Sequence, residues 1–238
     1  MSPDVRRQEV AANLARVRER VAVACADVGR RVEEITIVAV TKVRPASDVR
    51  IVASLGLRDV GENRDQEAAG KAAACADLGL RWHFVGQLQR NKAASVARYA
   101  DVVQSVDRAA LVDALDRAAQ RSGRRVGACV QVDLDDRPGA ALRGRGGAVP
   151  ADVPALADRV AASAALDLLG VMAVAPLGQD PAAAFARLAV VHDTLMAAHP
   201  AATMRSAGMS ADLEAGIRAG ATHIRVGSAL LGPREALK

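Results

Sequence analysis

Apolar positions along the chain switch between two periods. From Val10 through Leu14, Val17, Val21, Cys25 and Val28 they recur every three or four residues, which predicts an amphipathic helix with Gly29 as its stop. Ile35–Val40 follows as a short β-branched run, which predicts a strand buried on both faces. Ser47–Leu55 returns to the helical period and ends at Gly56. The alternation then repeats. Further strands are predicted near Arg58–Gly61, Arg81–Gly86, Asp101–Val106, Val126–Leu134, Leu166–Val174, Thr203–Ser206 and Thr222–Gly227. Ala-rich amphipathic segments lie between most of them, at Asp65–Ala76, Asn91–Ala97, Ala109–Arg121, Val153–Ala164, Pro181–Ala198 and Ala211–Ala219. Strand-then-helix repetition requires parallel pairing through right-handed crossovers. Eight such units after one extra helix predict an α/β fold, a (β/α)8 TIM barrel, with an open doubly wound sheet as the alternative.

Composition changes this picture little. The 238 residues are 51% hydrophobic and 25% charged, values of an ordinary folded chain. No composition shift marks a boundary, so residues 1–238 read as a single barrel domain, with residues 1–30 packing on it as an N-terminal helix. Aromatics make up 2% (Trp82, Tyr99, Phe84 and Phe185), which argues against a surface that stacks single-stranded bases. The net charge of +5 reads as scattered surface arginine, although a positive field also suits a phosphorylated small molecule. Asp135–Pro150 reads as a long, mobile loop; its Arg137, Arg143 and Arg145 lack the aromatics and groove-entering helix that a nucleic-acid surface needs. Cys25, Cys75 and Cys129 form no CxxC pair and read as small core residues in a reducing cytoplasm. The N-terminal residues contain no apolar signal segment, and no membrane-length apolar run occurs, so the protein is expected to be soluble and cytoplasmic.

In a barrel of this type, chemistry gathers where strands end. That rule selects Thr41-Lys42, Gly61-Glu62-Asn63, His83, Gly86-Gln87, Met172, the run Ser206–Ser210, and Arg225–Ser228. Lys42 directly follows an apolar strand, so it is either a snorkelling surface residue or a functional amine. Gly227 and Ser228, with Ser206 and Gly208 on the neighbouring loop, would form a phosphate cradle before the short apolar segment Ala229–Gly232. Arg225, two residues before Gly227, would point into the barrel, where an ion pair with Glu62 or another carboxylate is the plain structural reading.

Seven blocks carry a resemblance to a known family. They are Ala39-Val40-Thr41-Lys42, Val60-Gly61-Glu62-Asn63 with Gln66-Glu67, Trp82–Lys92, Ser105-Val106-Asp107, Gly170-Val171-Met172, Gly208–Glu214 and Ile224–Ser228. In this order they resemble the pyridoxal-phosphate homeostasis proteins, small relatives of the alanine racemase N-terminal barrel. The resemblance implies that Lys42 holds pyridoxal 5'-phosphate as a lysine aldimine. It implies that Ser206, Gly227 and Ser228 contact phosphate, that Arg225 faces the pyridine nitrogen, and that Asn63, His83 and Met172 form pocket walls. Gly208 belongs to the same loop. No metal is implied.

An arginine cannot accept a proton, so it would keep the pyridine nitrogen unprotonated and weaken the ring as an electron sink. Racemisation also needs a base on each face, and the sequence offers no evident second base. The expectation is therefore a cofactor-binding protein that buffers pyridoxal phosphate, passes it to apo-enzymes and acts as a monomer. A weak amino-acid racemase is the first alternative. A Schiff-base aldolase acting on a sugar phosphate is the second.

Overall fold

A computed structural model of the chain describes residues 2–137 and 146–233. Arg143 and Arg145 lie outside the described residues, while Arg137 pairs with Asp135 at 2.6 Å. The strands are β1 (Thr36–Val40), β2 (Asp59–Glu62), β3 (Arg81–Phe84), β4 (Val102–Val106), β5 (Val126–Val132), β6 (Leu166–Ala173), β7 (Met204–Met209) and β8 (His223–Val226). Each pairs in parallel with the next, and β8 returns to β1 through Thr36↔His223 and Ala39↔Val226. The sheet is thus a closed barrel in sequence order, the (β/α)8 arrangement that the alternating periods predict.

The helices are α1 (Pro3–Ala26), α2 (Ala46–Ser54), α3 (Asp65–Ala74), α4 (Ala93–Val96), α5 (Ala109–Arg121), α6 (Val153–Ala161), α7 (Pro181–Ala198), α8 (Leu213–Arg218) and α9 (Ser228–Leu231). Local chemistry starts several of them. Asp180 caps α7 by accepting from the Ala182 and Ala183 N–H groups, ahead of Pro181 in the first turn. The predicted helical stripe of α1 is buried from Val10 to Cys25, but the helix ends at Ala26 and Val28 is 41% exposed. Val28 lies past the last turn, so helical spacing no longer places it. No helix among the described residues is long and apolar enough to cross a membrane. The three cysteines are buried and free, as small core residues should be.

α1 ties the fold to its functional end. Its apolar stripe packs with Leu213 and Ile217 of α8 and with Leu230 and Leu231 of α9. Asn13 donates to the Leu230 carbonyl at 2.9 Å, Arg6 donates to the Leu231 carbonyl at 2.9 Å, and Arg20 grips Glu214 with two bonds of 2.6 and 2.8 Å. The helix therefore holds the two segments that flank the barrel mouth.

The barrel lumen is divided by polarity. Val102, Cys129, Met172 and Met204 form an apolar cluster inside it. The remainder is polar, with His83, Gln104, Ser206 and Arg225 all buried. Gln104 bonds Ser206 although β4 and β7 are not neighbours, so that contact crosses the lumen. Close strand approach is enforced at Gly170, where φ is +143° and an added Cβ would lie 2.0 Å from the Met204 carbonyl oxygen.

Two predictions follow from this packing. Gly170→Ala must force β6 from β7, and we expect a loss of about 2–3 kcal/mol in urea unfolding; an unchanged midpoint would contradict the close approach. The second concerns pH. Burial lowers the proton affinity of His83, His192 and His223, the last to about 4 from the ordinary 6.5. Below pH 6.5 the unfolded chain then binds more protons than the folded one, so stability falls as pH falls, by up to about 1.4 kcal/mol per pH unit for each such group. Unfolding midpoints at pH 7.5 and 5.5 should differ in that direction, and His223→Gln should flatten the slope.

Candidate functional site at the barrel mouth

A cavity of about 390 Å³ opens at the C-terminal ends of the strands. Lys42, Asn63, Arg225, Gly227 and Ser228 line it, together with Arg44, Met209, Ser210 and an apolar wall that includes Val40, Val85, Val174 and Leu231. Five of the nine positions that the sequence assigns to the cofactor pocket thus meet in one place.

Lys42 is delivered there by a clamped turn. The Thr41 N–H extends the β1–β2 ladder to the Gly61 carbonyl at 3.0 Å. The Thr41 hydroxyl donates to Glu62 Oε1 at 2.6 Å, and Lys71 Nζ donates to the Thr41 carbonyl at 2.7 Å. On the other side, the Val43 N–H donates to Glu67 Oε1 at 2.6 Å. Val43 has φ +57°, an uncommon conformation for a β-branched residue that costs of order 1–3 kcal/mol. The chain therefore leaves β1 in a sharp bend, with the backbone on both sides of Lys42 fixed.

Lys71 sits at the centre of this clamp, bonded to Glu62 at 2.7 Å and to Glu67. Burial pushes the Glu62 carboxyl up, against the opposing hydrogen bonds from Lys71 and Thr41. Glu62 is thus committed to Lys71 and Thr41, and it forms no ion pair with Arg225. The Asn63 backbone is held close by Gly86, where any Cβ would lie 2.2 Å from the Asn63 carbonyl oxygen.

Arg225 is 4% exposed. It donates to the Ser206 hydroxyl at 2.6 Å and to the Ala173 carbonyl at 2.7 Å. Burial lowers its affinity for a proton to about 10, so it remains charged at neutral pH. Among the described residues it forms no salt bridge. Across the mouth, Ser210 Oγ accepts from the N–H groups of Gly227 and Ala229 at 3.3 and 3.1 Å. That hydroxyl and the loop amides, with Ser228 beside them, gather donors on one rim.

Four expected positions do not line the cavity. His83 and Met172 are 1% exposed and lie within the lumen below it. Ser206 has its hydroxyl committed to Arg225 and Gln104. Gly208 packs against α8, where an added Cβ would meet Leu213 Cα at 3.0 Å. The rim hydroxyl is supplied instead by Ser210, which the strand-end rule selects within Ser206–Ser210 but which the sequence did not assign to the phosphate cradle. The reason is a register shift between Ser206 and Met209 against β8, which breaks the alternation that would have put residues 206, 208 and 210 on one side. Tyr99, the sole tyrosine, does not line the cavity.

The donor set fits pyridoxal phosphate. One end of the cavity offers a primary amine, one rim offers uncharged donors for an anion, and the floor offers a guanidinium without a carboxylate partner.

Comparison with known proteins identifies the family of the chain. Residues 5–235 match the family described as alanine racemase, N-terminal domain. The pyridoxal phosphate homeostasis protein of Mycobacterium tuberculosis H37Rv is 44% identical over 98% of this chain and 95% of its own length. That of Escherichia coli K12 is 34% identical over 95% of this chain and 97% of its own length. Among solved structures, Synechococcus elongatus PipY with pyridoxal phosphate bound superposes with TM-score 0.80 at 34% identity, covering 94% of this chain and all of that one. Alanine racemase of Clostridium difficile shares the fold, with TM-score 0.71 at 13% identity over 94% of this chain and 56% of its own. By sequence and by barrel, the chain belongs to the pyridoxal phosphate homeostasis protein family, built on the fold of the alanine racemase N-terminal domain.

Proposed function

We propose that this protein binds pyridoxal 5'-phosphate at the barrel mouth and serves cellular pyridoxal phosphate homeostasis. The observation that carries this reading is the convergence of Lys42, Ser210, Gly227, Ser228 and Arg225 on one cavity. When bound, pyridoxal phosphate supplies an aldehyde that condenses with a primary amine and a ring that draws electron density. Lys42 is the amine, held by the clamped bend at its backbone. The Ser210 and Ser228 hydroxyls would hold the phosphate at this rim, beside Gly227. Arg225 would face the ring nitrogen and, having no acceptor atom, would leave it without a proton.

The same residues argue for holding over turning over. Among the described residues, the titratable side chains of the cavity lining are Lys42, Arg44 and Arg225. Racemisation needs a proton acceptor and a donor on opposite faces, and an arginine serves poorly as either. The reading extends to a monomer that releases the cofactor to apo-enzymes in the cytoplasm.

Protein mixed with pyridoxal phosphate should develop a visible absorbance that Lys42→Ala abolishes, and borohydride should fix a phosphopyridoxyl mass on the peptide containing Lys42. Persistence of the band in Lys42→Ala would overturn the assignment. Ser210→Ala should weaken pyridoxal phosphate binding about tenfold, as loss of one hydrogen bond to a charged group does. Binding of unphosphorylated pyridoxal should be unaffected; an equal loss for both would move the phosphate away from this rim.

A further inference from the structure

Below the cavity, five side chains form one unbroken row of hydrogen bonds. Arg225 Nη1 meets Ser206 Oγ at 2.6 Å, and Ser206 Oγ meets Gln104 Oε1 at 2.7 Å. Gln104 Nε2 meets His83 Nδ1 at 2.9 Å, and His83 Nε2 meets Asp59 Oδ1 at 2.8 Å. The row enters from β8 and β7, crosses the lumen to β4, and leaves through β3 and β2. Arg225, Ser206, Gln104 and His83 are buried, and the Asp59 side chain is 18% exposed.

The chemistry of the two ends sets the direction of the whole row. A guanidinium carries only donors, so the Ser206 oxygen must accept from it. The single hydroxyl proton of Ser206 then goes to the Gln104 oxygen. Gln104 therefore turns its amide N–H towards His83, whose Nδ1 accepts. The imidazole proton is left on Nε2, where a carboxylate, which can only accept, takes it. Turning Gln104 over and protonating His83 would leave the Ser206 proton without an acceptor. Burial also opposes an imidazolium at His83. Arg81, Asp101 and His223 complete its charged and titratable surroundings, with the His223 ring centroid 6.3 Å away. For Asp59, burial acts to raise the carboxyl, but the bond from His83 and the nearby positive groups outweigh it and hold the group below its ordinary value.

We propose that Ser206, Gln104 and His83 are positioning residues for Arg225, which together hold its guanidinium at the cavity floor and connect it to Asp59 as a remote counter-charge. The proposal rests on the pyridoxal phosphate reading for its effect on binding, but not for its direction. A carboxylate bonded directly to Arg225 would occupy donors that face the cavity and would bring a proton-accepting group beside the ring nitrogen. A hydroxyl followed by an amide does neither. The row also couples the cavity to His83, which does not line it. A ligand drawing on Arg225 must polarise each bond down to the imidazole.

The test uses the full chain labelled with ¹⁵N, with long-range proton–nitrogen correlation of the imidazoles at pH 7. The unloaded protein should show His83 as the neutral Nε2–H form, and pyridoxal phosphate should shift its Nδ1 signal. An Nδ1–H form or an imidazolium at His83 in the unloaded protein would overturn the proposal, and neither reading requires a variant or a bound cofactor. Gln104→Met should abolish the shift on loading. Ser206→Ala should weaken pyridoxal phosphate binding about tenfold, with Ser206→Thr restoring it. Folded variants that bind as tightly as the parent, or a loading shift that survives Gln104→Met, would also overturn it. If the parent protein takes up no pyridoxal phosphate, the cofactor reading fails by itself, while the unloaded spectrum still decides the direction of the row.

Discussion

A positive charge buried without a salt bridge among the described residues is the constraint around which the barrel interior is arranged. Removing a guanidinium from water is unfavourable unless its donors are satisfied. Arg225 meets that demand with neutral oxygens, the Ser206 hydroxyl and the Ala173 carbonyl. Part of the lumen is polar for this reason, and its polar members succeed one another from β8 to β2. The apolar part, with Met172 and Met204, packs beside them.

The two buried lysine–carboxylate contacts near the mouth serve a different purpose. Lys71 lies between Glu62 and Glu67 and reaches the Thr41 carbonyl, so its charge is absorbed by the clamp. Lys42, one residue beyond Thr41, is carried on the backbone that this clamp holds. A strained Val43 completes the bend. One lysine thus spends its interactions on geometry while the other is presented to the cavity. α1 stabilises the opposite rim, since it grips α8 and α9 on either side of the Gly227–Ser228 turn. Mouth, lumen and outer helix form a single arrangement.

Much of this was legible in the chain. The change from period 3.6 to unbroken apolar runs marks strands and helices alternately, and a chain that does this eight times has few ways to bury every strand. Lys42 was visible because a lysine ending a buried strand is out of place without a purpose. Arg225, Gly227 and Ser228 were visible because they end the last strand, where alternation still holds. Asn63 ends β2 in the same way.

What the sequence could not decide depends on contacts between segments far apart in the chain. Helical spacing placed Val28 on the α1 stripe, but the helix stops before it. Its place on the loop beside β8 grouped Ser206 with the phosphate cradle, whereas an extra residue in β7 sends Ser206 into the lumen, Gly208 towards α8 and Ser210 to the rim. Glu62 and Arg225 looked like natural partners, yet Lys71, on the helix after β2, reaches Glu62 first. His83 and Gln104 acquire their direction only from an arginine and an aspartate on other strands. The periodicity of a chain determines which faces are buried; barrel closure determines which buried polar groups meet, and hydrogen bonding across the lumen then leaves each of them one role.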